Sequence, residues 1–148
     1  MGDVEQGVAL TRAEIEEMLP HREPFLFVDR VIDFRAGEWV RAELDVDPEW
    51  DVFRGHFPTR PVMPGVLELE ALAQTAGIAL LSNAACEGKL GFLAKVDGAK
   101  FRRQVVPGDV LVMEAEILKA SSRSARARVV ASVAGEVACE AEQMYVMG

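Results

Sequence analysis

From Val66 to Leu81 the chain contains no proline, is built from strong helix formers, and is apolar at most positions. At about 100° per residue, Leu67, Leu69, Leu72, Ala76, Ile78 and Leu80 point to several sides of one helix, so protein must wrap most of that helix. Few architectures provide such a wrapping. Within the same helix Glu70 and Gln74 are one turn apart and share a face with Ala73 and Gly77. Glu68 lies about 200° from Glu70, so the two carboxyl groups diverge.

The remaining segments read mainly as strands. Thr11 and Glu14 form the two ends of a capping box for a short helix that Pro20 ends. Phe25–Phe34 is rich in β-branched and aromatic residues and predicts a strand. After a turn at Ala36–Glu38, Trp39–Val46 predicts an antiparallel partner. Beyond a linker at Ser82–Lys89, strands are expected at Phe92–Arg103, Val110–Leu118, Ala125–Val133 and Val137–Met147, separated by turns at Pro107–Asp109, Ser121–Arg123 and Gly135. The order fits an α+β domain over residues 11–148: one six-stranded antiparallel sheet around a central helix. A second copy of the chain is the simplest cover for any side of the helix that the sheet leaves open. Met1–Leu10 shows no periodicity and is expected to be a loose tail.

Composition narrows the function classes. Half of the 148 residues are hydrophobic and 27% are charged, as in a globular domain. The net charge of −8 argues against nucleic acid as the main partner. No run is long and apolar enough to span a bilayer, and no secretory leader is evident. Cys86 and Cys139 follow no metal spacing and are too few for a disulfide framework, so a reduced, cytoplasmic setting is expected.

The chemistry concentrates in Gly55–Gln74. His56 sits in a loop with Pro58, Pro61 and Pro64, and that loop leads into the helix carrying Glu70. Taken singly, His56 also fits a turn cap, and Glu70 fits a salt bridge to an arginine. Together they suit removal of one proton and delivery of another, with a carboxyl kept protonated by apolar surroundings. Pro64–Gly65 at the helix start offers free backbone N–H groups, and Gly65 allows a carbonyl oxygen to approach closely. These parts suit α-proton abstraction beside a carbonyl, with a β leaving group protonated on departure.

The motifs Gly55–Pro58, Arg60–Leu67 and Glu70–Gln74 resemble those of the FabZ-type 3-hydroxyacyl-[acyl-carrier-protein] dehydratases. Leu19–Arg22, Pro24–Leu26, Val28–Val31, Ala99–Phe101 and Val106–Asp109 resemble that family in the same order. The resemblance spans about residues 19–146. It implies a hot-dog fold, a homodimer that often assembles further into a trimer of dimers, and active sites at the dimer interface. It assigns His56 as the base at C2, Glu70 as the group that protonates or orients the departing hydroxyl, Gly65 as the carbonyl-binding N–H and Gln74 as a support for Glu70. Phe92 matches the mouth of the family's acyl tunnel. No metal or other cofactor is implied, since the substrate arrives on the phosphopantetheine arm of acyl carrier protein. His21 lies in a matching motif and is expected to be structural. Docking an acidic carrier calls for local positive charge, for which Lys95, Lys100, Arg102 and Arg103, or Arg123, Arg126 and Arg128, are candidates. A thioesterase on the same fold and a non-catalytic acyl-binding protein are the alternative functions.

Overall fold

Thr11 opens the first helix, α1 (Arg12–Met18), through the expected capping box: its side chain accepts the Glu14 N–H and its own N–H donates to the Glu14 carboxylate. The computed structural model describes residues 7–83, 86 and 88–148. Of the loose tail expected over Met1–Leu10, only residues 7–10 are described. Ala9 N–H donates to the Val31 carbonyl at 2.7 Å, and Val31 N–H donates to Leu10 at 3.0 Å, so this end of the tail bridges to a strand. Met1–Gln6 lie outside the described residues, as do residues 84, 85 and 87 of the expected linker.

Six antiparallel strands follow: β1 (Arg30–Arg35), β2 (Trp39–Asp45), β3 (Gly91–Phe101), β4 (Val110–Ala120), β5 (Ser124–Val133) and β6 (Glu136–Met147). Their order across the sheet is β1-β2-β4-β5-β6-β3. The central helix α2 (Gly65–Leu81) packs mainly against β4, β2, β5 and β6. This is the α+β hot-dog arrangement expected from the sequence.

Alternation explains how the helix fits. Leu111, Met113 and Ala115 of β4 are buried, as are Ala125, Ala127, Val129, Ala131 and Val133 of β5. The alanines of β5 leave room for a helix to lie close to the sheet, where larger side chains would hold it away. Ala71, Leu72, Ala76, Ile78 and Ala79 of α2 fill that room and are fully buried. Removing the Leu72 side chain to its Cβ would cost roughly 2–5 kcal/mol, lost transfer energy and cavity together.

The first strand is shorter than Phe25–Phe34. The β1 ladder starts at Arg30 because the backbone before it is claimed by the helix. Gln74 Oε1 accepts the Phe27 N–H at 2.7 Å, and Gln74 Nε2 donates to the Phe25 carbonyl at 2.9 Å. These polar groups are satisfied by a side chain, so the segment needs no strand partner. Arg30 then fastens β1 to β2, with Nε donating to Glu43 at 2.8 Å and both terminal nitrogens to Asp45 at 2.9 Å. The hydrogen bonds from Arg30 hold the Asp45 carboxyl below the usual carboxylate range.

Strand β3 differs from the others. It lies at the edge of the sheet, and none of its residues is buried. Phe92, Leu93 and Phe101 are each 40–56% exposed.

Candidate active site

The loop before α2 is held at both ends. Met63 N–H donates to the Val105 carbonyl at 2.8 Å, and Val62 N–H donates to the His56 carbonyl at 3.0 Å. The Val62 carbonyl lies 2.7 Å from His56 Nδ1. A carbonyl accepts only, so Nδ1 carries a proton, and in the neutral tautomer that this selects, Nε2 is the nitrogen with the lone pair. The imidazole also stacks on Phe57, with ring centres 4.2 Å apart. The two contacts fix the orientation of the ring and leave Nε2 as the nitrogen not engaged by its own loop.

No side chain caps the start of α2, whose N-cap is Pro64. The first N–H groups of the helix therefore remain available at the positive end of its dipole. Gly65 sits beneath the ring of Phe101. A Cβ added there would be 2.7 Å from Phe101 Cε1, closer than real Cβ contacts come, so a side chain at this position would require the half-exposed Phe101 ring to move.

One turn further on, Glu70 enters a cavity of about 50 Å³. His21, Ala73, Gln74, Gly77, Leu93 and Tyr145 are among its lining residues. Gln74 Nε2 donates to Glu70 Oε2 at 2.8 Å. The Phe27 N–H on the other end of the amide leaves no choice about which atom of Gln74 is nitrogen. Tyr145 donates to Gln143 Oε1 at 2.5 Å, and Gln143 Nε2 donates to the Leu69 carbonyl at 3.0 Å, so the wall behind Glu70 is polar but fully engaged. Burial, with Glu70 nearby, raises the Tyr145 hydroxyl well above its ordinary value.

The deeply buried acid is Glu68, not Glu70. Glu68 is 3% exposed, and its Oε1 has no hydrogen-bond partner among the described residues. Burial pushes its carboxyl up to about 8. The Glu70 side chain is 24% exposed. The divergence expected from helical spacing is present, but the apolar side that receives a carboxyl is the sheet side, where Glu68 lies near Cys139.

Within one chain the expected residues fall into two groups. Glu70 and Gln74 line the cavity, whereas His56, Gly65 and Phe92 do not. On β3 it is Gly91 and Leu93 that face the cavity, and Phe92, one residue out of phase, is 56% exposed. Two residues that sequence reasoning did not place at a site belong to the cavity, His21 and Tyr145. Tyr145 is the only tyrosine in the chain, but its face on β6 depends on strand register. His21 was visible in a motif, but nothing in the spacing connected it to Glu70.

The basic clusters expected for docking are largely neutralised. Lys95 pairs with Asp97, Arg102 with Glu140, Arg103 with Glu136 and Asp109, Arg126 with Glu142, and Arg128 with Glu116. Lys100 and Arg123 form no ion pair among the described residues. Cross-strand register places most of these cations beside acids, which the linear sequence does not display. No described helix is long and apolar enough to cross a membrane.

Residues 19–144 match the FabA-like domain family. The chain is 52% identical over 134 residues to a 3-hydroxyacyl-[acyl-carrier-protein] dehydratase FabZ of Listeria monocytogenes, covering 90% of this chain and 93% of the relative. It is 49% identical over 147 residues to the FabZ dehydratase of Oceanobacillus iheyensis, covering 99% of both. Among solved structures it is similar to the dehydratase heterocomplex ApeI:P from Xenorhabdus doucetiae, with TM-score 0.71, 17% identity and 90% of each chain covered. It is also similar to a mutant thioesterase from Pseudomonas aeruginosa, with TM-score 0.62, 16% identity, and 80% of this chain and 79% of that one covered. At such identities the two structures speak for the hot-dog fold alone. The identities near one half, extending over nearly the whole length, decide the family: the chain belongs to the FabA-like family, among its FabZ-type 3-hydroxyacyl-[acyl-carrier-protein] dehydratases.

Proposed function

We infer that the chain removes water from (3R)-3-hydroxyacyl-[acyl carrier protein] to give trans-2-enoyl-[acyl carrier protein] in fatty acid biosynthesis. The observation that carries this reading is the identity of about one half to FabZ dehydratases over nearly the whole length of both chains.

The geometry supports a definite division of labour. His56 Nε2, the ring nitrogen not held by the Val62 carbonyl, takes the C2 proton. The Gly65 N–H, at an uncapped helix start, binds the thioester oxygen as negative charge develops on it. Glu70 delivers a proton to the departing 3-hydroxyl, which leaves as water. The C2 proton ends on His56, the C2–H electron pair becomes the C2–C3 double bond, and the C3–O bond breaks.

Two subunits share this site in our reading. His56 is not among the residues lining the Glu70 cavity, and that cavity has room for about one or two waters and not for an acyl chain. Strand β3 carries exposed Phe92, Leu93 and Phe101 along an edge with no further strand beside it. An edge of that length is a template for pairing, and a second copy related by a two-fold axis would cover it. The partner's loop would bring its histidine to the cavity, and the tunnel would form between the two chains. Phe92 would then act at the mouth of that shared tunnel. A trimer of such dimers is a further step of the same proposal. The carrier protein would dock through Lys100 and Arg123, the members of the basic clusters that form no ion pair among the described residues. The setting would be cytoplasmic.

Incubation of the purified protein with a 3-hydroxyacyl thioester tests the reaction. Dehydration gives enoyl absorbance with no free thiol. Thiol release without enoyl product would make the protein a thioesterase.

A further inference from the structure

His21 lies on the loop that follows α1, and Arg22 fixes that loop. The Arg22 guanidinium donates to the carbonyls of Leu19 at 2.9 Å, His21 at 2.7 Å and Glu16 at 3.0 Å. Three acceptors on one rigid fork leave the backbone of residue 21 little freedom. The imidazole then extends into the Glu70 cavity, with Nε2 3.6 Å from Glu70 Oε2. That separation is an electrostatic contact just beyond hydrogen-bond length, and contacts of this kind shorten when a substrate completes a site.

Which nitrogen carries the proton follows from the surroundings. Nδ1 is buried and has no hydrogen-bond partner among the described residues. A proton there would leave a buried N–H unsatisfied and turn the Nε2 lone pair toward a carboxyl oxygen. A proton on Nε2 instead leaves Nδ1 with only an unpaired lone pair and places an N–H on the side of Glu70 Oε2. That same oxygen already accepts from Gln74 Nε2 at 2.8 Å. Two donors on the side of one oxygen leave the other, Oε1, free to face the substrate hydroxyl.

We propose that His21 is a positioning residue for the dehydration: from Nε2 it supports Glu70 Oε2 alongside Gln74, so that Glu70 presents Oε1 to the substrate hydroxyl. The role rests on Glu70 being the proton donor in the reading above. His21 touches no substrate. It acts through the orientation of Glu70, and its effect belongs in turnover and not in binding.

The test compares His21→Leu, His21→Gln and His21→Asn in the full chain, with a 3-hydroxyacyl thioester of acyl carrier protein as substrate. His21→Leu should lower kcat about tenfold or more, the loss of one hydrogen bond to a charge-bearing group, with KM within roughly twofold. His21→Gln, whose amide reaches about as far as Nε2, should restore most of the turnover. Added to Glu70→Gln, the His21→Leu change should cost less than about twofold, because the group it acts through is gone. His21→Asn is polar but too short to reach Oε2; it should be as slow as the leucine variant, and it carries the test if that variant does not fold. Wild-type kcat in both short or apolar variants would overturn the proposal. Equal losses in the glutamine and leucine variants, or full additivity with Glu70→Gln, would also overturn it. Wild-type turnover of Glu70→Gln alone would remove the proton-donor role on which the proposal rests, and that failure is read independently of His21.

Discussion

Gln74 holds Glu70 Oε2 at 2.8 Å with the same amide nitrogen that donates to the Phe25 carbonyl, while its oxygen accepts the Phe27 N–H at 2.7 Å. One buried side chain thus anchors the segment leading into β1 and orients the carboxyl in the cavity. Gln74→Leu leaves the buried Phe27 N–H unsatisfied, at a cost of roughly 1–3 kcal/mol, and also removes the bond to the carbonyl of the exposed Phe25. Thermal unfolding should show the loss, and turnover should fall even at temperatures where the variant is folded. Unchanged turnover in a folded Gln74→Leu protein would show that Glu70 needs no support from this side.

Glu68 should make stability depend on pH. Its folded value is raised from 4.5 to about 8 by burial, so below pH 4.5 both states hold the proton and no penalty exists. As pH rises from 4.5 to 8, the unfolded chain releases a proton that the folded chain keeps. Stability falls across that window and levels off above it, by at most about 1.4 kcal/mol per pH unit. Glu68→Leu should therefore raise the melting temperature more at pH 8 than at pH 5. Urea denaturation of both proteins at the two pH values checks it, and an equal gain at both would contradict the buried-acid account.

Removing His56 should remove the base without disturbing the fold, since its ring is only half-buried and its hydrogen bond runs to a loop carbonyl. His56→Ala should lower kcat by roughly 10²–10⁴. Circular dichroism identical to that of the parent protein would confine the effect to chemistry.

A shared site makes a stronger prediction. In a dimer of one His56→Ala and one Glu70→Gln subunit, one site carries both lesions and the other carries none. Random mixing should then recover about a quarter of the wild-type rate from two nearly inactive proteins. If each chain holds a complete site, the mixture stays inactive.

Gly65 should tolerate no side chain while Phe101 stays in place. The missing Cβ would lie 2.7 Å from Phe101 Cε1 and 3.0 Å from Cζ, and overpacking of this kind costs roughly 1–3 kcal/mol. Gly65→Ala should lower both stability and turnover. Adding Phe101→Ala should return part of the stability, measured by thermal melting. No recovery would mean that the clash lies elsewhere.

Much of this protein was determined by local pattern. The apolar surround of Val66–Leu81 required a wrapped helix. The alternation of β4 and β5 fixed which faces of those strands turn inward, and the spacing of Glu68 and Glu70 sent their carboxyl groups apart. All of these depend on helical or strand periodicity, which is written in a few consecutive residues. Relationships across the sheet or between distant loops were decided only by tertiary packing. Phe25–Phe27 has the composition of a strand, yet Gln74, far along the chain, takes its backbone groups. The arginines that looked like a docking patch find acids one strand away. His21 meets Glu70, and Glu68 rather than Glu70 is sealed from water, because the sheet closes on one side of α2 and the α1 loop only partly covers the other. Burial and pairing at such positions are set by which surfaces meet, and no local repeat records that.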